Sequence, residues 1–386
     1  MKGIHMSFAN RTGLVIMLVL AGWMITSAAA EVQPHEVNQI TKEDIADKKT
    51  KRNRETSQTT QAKSGRILFK AGIEATYDSN VFYFSRDEMD DFDTGGNTNG
   101  KFTNVDSIDD VILSPRFELA YKDLFRGHTL KSGIVVTPHL YTNNQVKDYE
   151  DYEFYVRQYL NKDEFLEFDY ARTPEYRAGN FYDRDDARYK KATYSENRFT
   201  LAYNRPFGED TSAMAQYFYV TDDYNNNFDE YDMDSQALRL TMRKAFTEDF
   251  TGRIFWEYAN ENAQGDMGDT ARIESDPSRQ IWTVNLRGTY DVTSNLQMYL
   301  QYGIWFSDYT TSNSVSDDPY HAERDDISQS IDCHINYDLT KDAEIFLAYR
   351  YTIKDADPAT DDLSILDAAI LGYERHQGSF GVKYSF

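Results

Sequence analysis

From residue 65 to Phe386 the sequence repeats one pattern fourteen times: a run of about ten residues in which apolar and polar side chains alternate. Residues 66–78 show it plainly. Ile67, Phe69, Ala71, Ile73, Ala75 and Tyr77 fall on one face, and Lys70, Glu74, Thr76 and Asp78 on the other. The pattern returns at 111–122, 130–141, 151–161, 164–172, 194–204, 212–221, 236–244, 249–259, 281–291, 295–307, 327–338, 342–353 and 373–386. A period of two predicts strands, and strands of soluble domains average only about five or six residues. Crossing a bilayer at a tilt takes roughly 9 to 11.

The connections carry the topology. Those after odd-numbered strands are long: 79–110, 142–150, 173–193, 222–235, 260–280, 308–326 and 354–372. Those after even-numbered strands are short: 123–129, 161–163, 206–210, 246–248, 292–294 and 340–341. Long loops on one side and tight turns on the other, with an even strand number, predict an all-β, transmembrane, antiparallel up-and-down β-barrel of about 14 strands, with 12 to 16 possible. Such a barrel sits in the outer membrane of a Gram-negative cell with both chain ends in the periplasm.

Both strand faces suit that environment. Phe117, Leu119, Ile134, Leu166, Phe168, Leu238, Leu240, Leu286, Leu300 and Leu347 form the face assigned to lipid. Charges recur on the other face too often to meet hydrocarbon, so they are assigned to a lumen. The candidate pore-lining residues are Arg116, Glu118, Lys131, Tyr141, Glu153, Tyr155, Arg157, Tyr159, Arg198, Arg239, Arg253, Glu257, Arg287, Tyr299, Trp305 and Arg350. Read over the whole lumen face, which also carries Glu167, Asp169, Asp332 and Glu344, acids and bases come near to balance, which predicts a lumen without a field of one sign. Tyr155, Tyr159, Tyr299 and Trp305, with Phe255 and Phe346, offer ring faces on which sugars can stack or which simply fill the barrel.

The last strand ends in Phe380, Val382, Tyr384 and Phe386 on one face. It resembles the carboxy-terminal assembly signal of Gram-negative outer-membrane proteins. The segments Tyr77-Asp78-Ser79-Asn80-Val81-Phe82 and Ser114-Pro115-Arg116-Phe117 resemble the β-barrel porin family associated with exopolysaccharide and capsule export. That resemblance implies a barrel through which a saccharide polymer passes. It also implies polysaccharide-export proteins as partners, beside outer-membrane lipid, lipopolysaccharide and the barrel assembly machinery. No residue role carries over from it.

Upstream, Lys2 and Arg11 precede an apolar core, Leu14 to Ile25, and Ala28-Ala29-Ala30 supplies a cleavage site, so residues 1–30 are expected to be a signal peptide. Residues 31–64 are charged and poor in large apolar side chains, which predicts a flexible periplasmic tail or a plug ahead of the barrel, 65–386.

Other functions find little support. The net charge of −23 excludes a nucleic-acid partner, because a phosphate backbone would repel it. The single cysteine, Cys333, rules out an internal disulfide. Ser330, Asp332 and His334 share one strand face, but neighbours two apart lie about 6.6 Å from each other, so a polar ladder is expected there rather than a triad. His139 and His334 read as lone lumen histidines. The acidic loops, around 87–93 and 222–234, fit no EF-hand register and read as a solvated rim. No catalytic, metal or cofactor site is expected, and no enzyme. Three functions remain open: a saccharide or exopolysaccharide channel, a closed structural or adhesive barrel working through its acidic loops, and a fatty-acid-type transporter of hydrophobic substrates. The charged lumen speaks against the last.

Overall fold

In the computed structural model of the protein, strands run antiparallel in chain order until the first meets the last, leaving no sheet edge. The structure describes residues 65–183, 186–263, 276–315, 317–318, 320–357 and 372–386. The expected signal peptide, 1–30, and tail, 31–64, lie outside the described residues.

The strands are β1 (Arg66–Asp78), β2 (Asp110–Phe125), β3 (His128–Tyr141), β4 (Tyr149–Tyr159), β5 (Phe165–Asp183), β6 (Arg188–Pro206) and β7 (Thr211–Tyr224). They continue as β8 (Met233–Ala245), β9 (Phe250–Ala263), β10 (Arg279–Asp291), β11 (Leu296–Tyr309), β12 (Asp325–Asp338), β13 (Ala343–Asp357) and β14 (Tyr373–Ser385). This is the predicted closed barrel of fourteen strands. The seam is made by β1 and β14, in register from Lys70 opposite Ser385 to Asp78 opposite Gln377.

The alternation of side chains has its physical outcome in burial. Leu119, Ile134, Leu240, Leu300 and Leu347 are all exposed on the outer face, an apolar belt no soluble monomer would present. Exposed aromatics gather at the short-turn end: Phe125, Phe207, Phe246, Phe250, Tyr290, Tyr337 and Phe386. Rings at that level suit the membrane–water interface. The intervening inward residues are buried or half-buried.

Two connections differ from expectation. The long connection after β5 is mostly strand: β5 and β6 run on past the predicted 164–172 and 194–204 into a hairpin with only a few residues between them. Pro174 and Gly179 broke the alternation on which the prediction rested, and the ladder slips at both places, between Thr173 and Tyr176 and between Arg177 and Gly179. The connection after β1 holds a helix, α1 (Arg86–Asp93). Ser85 and Glu88 cap it reciprocally, the hydroxyl accepting from the Glu88 amide and the carboxylate from the Ser85 amide.

Candidate functional site

The inward wall is built from cross-strand pairs. Glu118 on β2 lies between Lys70 on β1, 2.5 Å away, and Lys131 on β3, 3.0 Å away, and accepts the Tyr155 hydroxyl from β4 at 2.7 Å. Arg157 pairs with Glu167, Arg239 with Glu257 at 2.6 Å, and Arg350 with Asp332. Arg198 stands 3.7 Å from Glu196, and Arg287 donates to Gln301 at 3.0 Å. Arg116 reaches Thr137 at 3.5 Å. All the predicted lumen residues, including Glu153, Arg253 and Tyr159, sit on inward positions of their strands. Each buried pair matters chiefly through what its loss would cost, because removing one partner strands the other charge, typically at about 3–5 kcal/mol.

The lumen rings, which the sequence left as stacking platforms or as filling of the barrel, are packed against neighbours. Tyr141, Tyr155, Phe255, Tyr299, Trp305 and Phe346 are all buried, and four of these rings have a cation over them. The Arg287 guanidinium lies 4.2 Å from the Tyr299 ring centre, the Lys131 ammonium 4.7 Å from Tyr155, Arg239 4.6 Å from Phe255, and Lys383 4.2 Å from Phe346. Two of these rings, Tyr155 and Phe346, also lie close against glycines of the wall. A Cβ added at Gly133 would meet the Tyr155 ring at 2.7 Å, and one at Gly381 would meet Phe346 at 2.3 Å. Tyr155 and Phe346 thus have a glycine and a cation for neighbours within the wall. Tyr159, near Phe165, is half-buried.

His139 is not a lone histidine. Its Nδ1 is 2.9 Å from Ser114 Oγ and its Nε2 3.1 Å from Asp151, whose other oxygen accepts from Thr173 at 2.6 Å. These four residues stand on β2, β3, β4 and β5, and their network ties the wall together where Pro115 interrupts the β2–β3 ladder. Sequence spacing hides it because each member lies on a different strand. Ser330 and Asp332 do form a ladder, 3.3 Å apart, while the His334 ring stands perpendicular to Tyr299 and to Phe346.

At the long-connection end, residues 79–110 fold inward. Val81 and Phe82 pack on Ile112 and the inward Tyr141, with Phe84, Val105 and Tyr149 against them. The segment then reaches the β5–β6 hairpin, where Asn180 donates to the carbonyls of Lys101 and Thr103, at 2.8 and 2.9 Å. A buried pair, Lys101–Glu88 at 2.9 Å, fixes it to α1. Beneath it lies Lys147, fully buried, its ammonium 4.7 Å from the Phe82 ring centre and donating to the Arg177 carbonyl at 2.9 Å. Burial first, then the cations Arg375 and Arg177, push this ammonium down to about 7 from its ordinary 10.5. Across the same end, His321 lies between Tyr309 and Tyr231 and is held by Asp318 at 3.0 Å. Among the described residues, no group of three or more His, Cys, Asp or Glu is placed to hold a metal ion.

A closed antiparallel barrel with an apolar belt, an interfacial aromatic ring and a charge-paired interior is a transmembrane β-barrel of the outer-membrane type. No family model matches the chain, and no curated protein matches it. Among solved structures it is similar to the outer membrane channel DcaP of Acinetobacter baumannii, at 12% identity over 85% of this chain and 99% of that one, with a TM-score of 0.45. It is similar to the anion-selective porin from Comamonas acidovorans, at 9% identity over 84% and 99%, with a TM-score of 0.40. A third is OmpT, an outer membrane protein of Vibrio cholerae, at 10% identity over 85% and 100%, with a TM-score of 0.43. The assignment of fold rests on the closed ladder itself.

Proposed function

We propose that the protein is an outer-membrane channel for polar solutes of the saccharide class, an exopolysaccharide in particular. The observation behind this is the inward wall, where charges on neighbouring strands are matched around the barrel, from Lys70–Glu118–Lys131 on β1 to β3 to Asp332–Arg350 on β12 and β13. A polar wall favours hydrated passengers and penalises greasy ones. In this reading the short-turn end and both termini face the periplasm, where polysaccharide-export proteins would meet the barrel, and the acidic long connections face outward.

Purified protein in planar bilayers is expected to conduct ions and to be blocked by oligosaccharides. Residues 79–110, folded inward over Tyr141 and Tyr149, favour a second reading, a barrel kept shut at the outer end. Silence of the wild type, of a variant lacking residues 31–64 and of one lacking the inner part of the 79–110 connection would replace the channel with that closed barrel. Conductance only after the connection is shortened would make it a gate.

A further inference from the structure

We infer that Ser114, His139 and Asp151 form a hydrolytic site in the lumen, with Ser114 as nucleophile, His139 as its base and short-chain acyl esters of water-borne molecules as substrates. This goes beyond the passage of solutes and does not require it. The first observation is the hydrogen-bonded chain itself. Ser114 Oγ lies 2.9 Å from His139 Nδ1, and His139 Nε2 lies 3.1 Å from Asp151. These are the distances of a nucleophile held by its base and of a base held by its orienting acid. The carboxylate can only accept, so Nε2 carries the imidazole proton and Nδ1 is left to accept from the serine hydroxyl. Asp151 and His139 are positioned in turn. The other Asp151 oxygen accepts from Thr173 at 2.6 Å, and the Tyr149 ring stacks on the imidazole, 13° from parallel with 4.3 Å between centres. His139 is buried, while Ser114 keeps a half-buried place on the inward face.

The second observation is where this chain stands. The β2–β3 ladder runs from Phe125 opposite His128 to Phe117 opposite Val136 and resumes at Leu113 opposite Leu140, with the positions between left out. By the same register Ser114 faces His139 there, and Pro115 faces Pro138. Neither proline has an amide hydrogen to give, and a sheet interior tolerates proline poorly. The wall therefore gives up ladder bonds at the place where the serine meets its base. Arg116, the next inward residue on β2, brings a guanidinium to the same face, 3.5 Å from Thr137. It supplies the charged donor that a developing oxyanion needs.

Facing selects the substrate. Leu113 beside Ser114 is exposed on the lipid side, and strand alternation turns the serine away from the bilayer. Its ester must therefore arrive through water, as an O-acetylated saccharide would in the channel reading. Ser114 Oγ bonds to the ester carbonyl carbon as its proton passes to His139 Nδ1, and the carbonyl oxygen takes up the negative charge. The imidazolium returns the proton to the alcohol oxygen as that oxygen leaves, which gives acyl-serine and free alcohol. Water then attacks the acyl carbon, its proton passing to His139 and on to the departing Ser114 Oγ, and a carboxylic acid is released.

The test gives full-length protein in detergent p-nitrophenyl acetate and, separately, a fluorophosphonate probe located by peptide mass spectrometry. Wild type should release p-nitrophenol above the detergent blank and carry the probe on Ser114. Ser114→Ala and His139→Gln should each lower kcat/KM by about a hundredfold or more, and Ser330→Ala should leave it unchanged. Asp151→Asn should lower kcat with KM held and slow the labelling, at normal heat-modifiable migration. If the network variants fail to fold, labelling of the wild type decides alone. No release by wild type, release that survives Ser114→Ala, a probe on another serine, or faster release from p-nitrophenyl palmitate than from the acetate overturns the proposal. Absence of conductance in bilayers defeats the channel reading instead, and is measured separately.

Discussion

The guanidinium of Arg375 on β14 grips the carboxylate of Asp78 on β1 across the seam that closes the barrel, with Nε 2.9 and 3.0 Å from the two oxygens and Nη2 on one of them. Gln377 donates to the same carboxylate at 3.2 Å, and the Tyr83 ring lies under the guanidinium. Asp78 is fully buried, so Arg375→Gln strands its charge. The expected loss is about 3–5 kcal/mol. It should appear as a lower temperature for the shift between folded and unfolded bands on gels, partly restored by adding Asp78→Asn. A transition temperature unchanged in Arg375→Gln would show that the seam does not depend on this pair.

The chain end is fastened to the same seam. The Phe386 amide donates to the Phe69 carbonyl at 2.9 Å, and its ring lies 5.3 Å from Phe69 and 4.5 Å from Tyr384. Deleting Phe386 should therefore lower the amount of protein in the outer membrane without altering the conductance of the molecules that arrive. Normal amounts with normal migration would contradict a role in assembly.

Gly133→Ala would drive a methyl group into the Tyr155 ring and loosen its hydrogen bond to Glu118. Overpacking of this kind costs about 1–3 kcal/mol. Denaturant unfolding should show that loss, and Gly133→Ala with Tyr155→Leu should recover part of it, because the two residues are coupled through one contact. A double variant no better than the single one would place the strain elsewhere.

Lys147 gives the inward-folded connection a pH dependence. Its folded value is about 7 and its unfolded value 10.5, so between these the unfolded segment binds a proton that the folded one does not. Stability of the packed segment then rises with pH through that window and is lowest below it, where a charged ammonium has to be buried. Protease nicking within residues 79–110 should be faster at about pH 6 than at about pH 9, and Lys147→Met should flatten the difference. A pH dependence unchanged in Lys147→Met would assign it to other groups.

Strand number and pairing order were legible because each depends only on period two and on connection length. The β5–β6 hairpin was not, since bulges at Pro174 and Gly179 shift the period that reveals a strand. The helix α1 carried its signal openly, Ser85 three residues before Glu88, within a connection expected to be irregular. Contacts across strands lay beyond the sequence altogether. Ser114, His139 and Asp151 meet only through register, and so do Arg243, Arg253 and Arg287. A balanced tally of acids and bases carries no information about which of them stand side by side.

The pairing of β1 with β14 also governs how such a chain can reach its native state. Asp78 and Arg375 are separated by 297 positions, so their contact is among the most nonlocal the chain can form. The hairpins between can zip up one after another, but each intermediate keeps two open edges, able to pair with any other extended chain nearby. High contact order makes that last step slow. A chain truncated before the final strand would have no native partner for its first strand, and quality control would have only a single, late event by which to tell a finished molecule from an unfinished one.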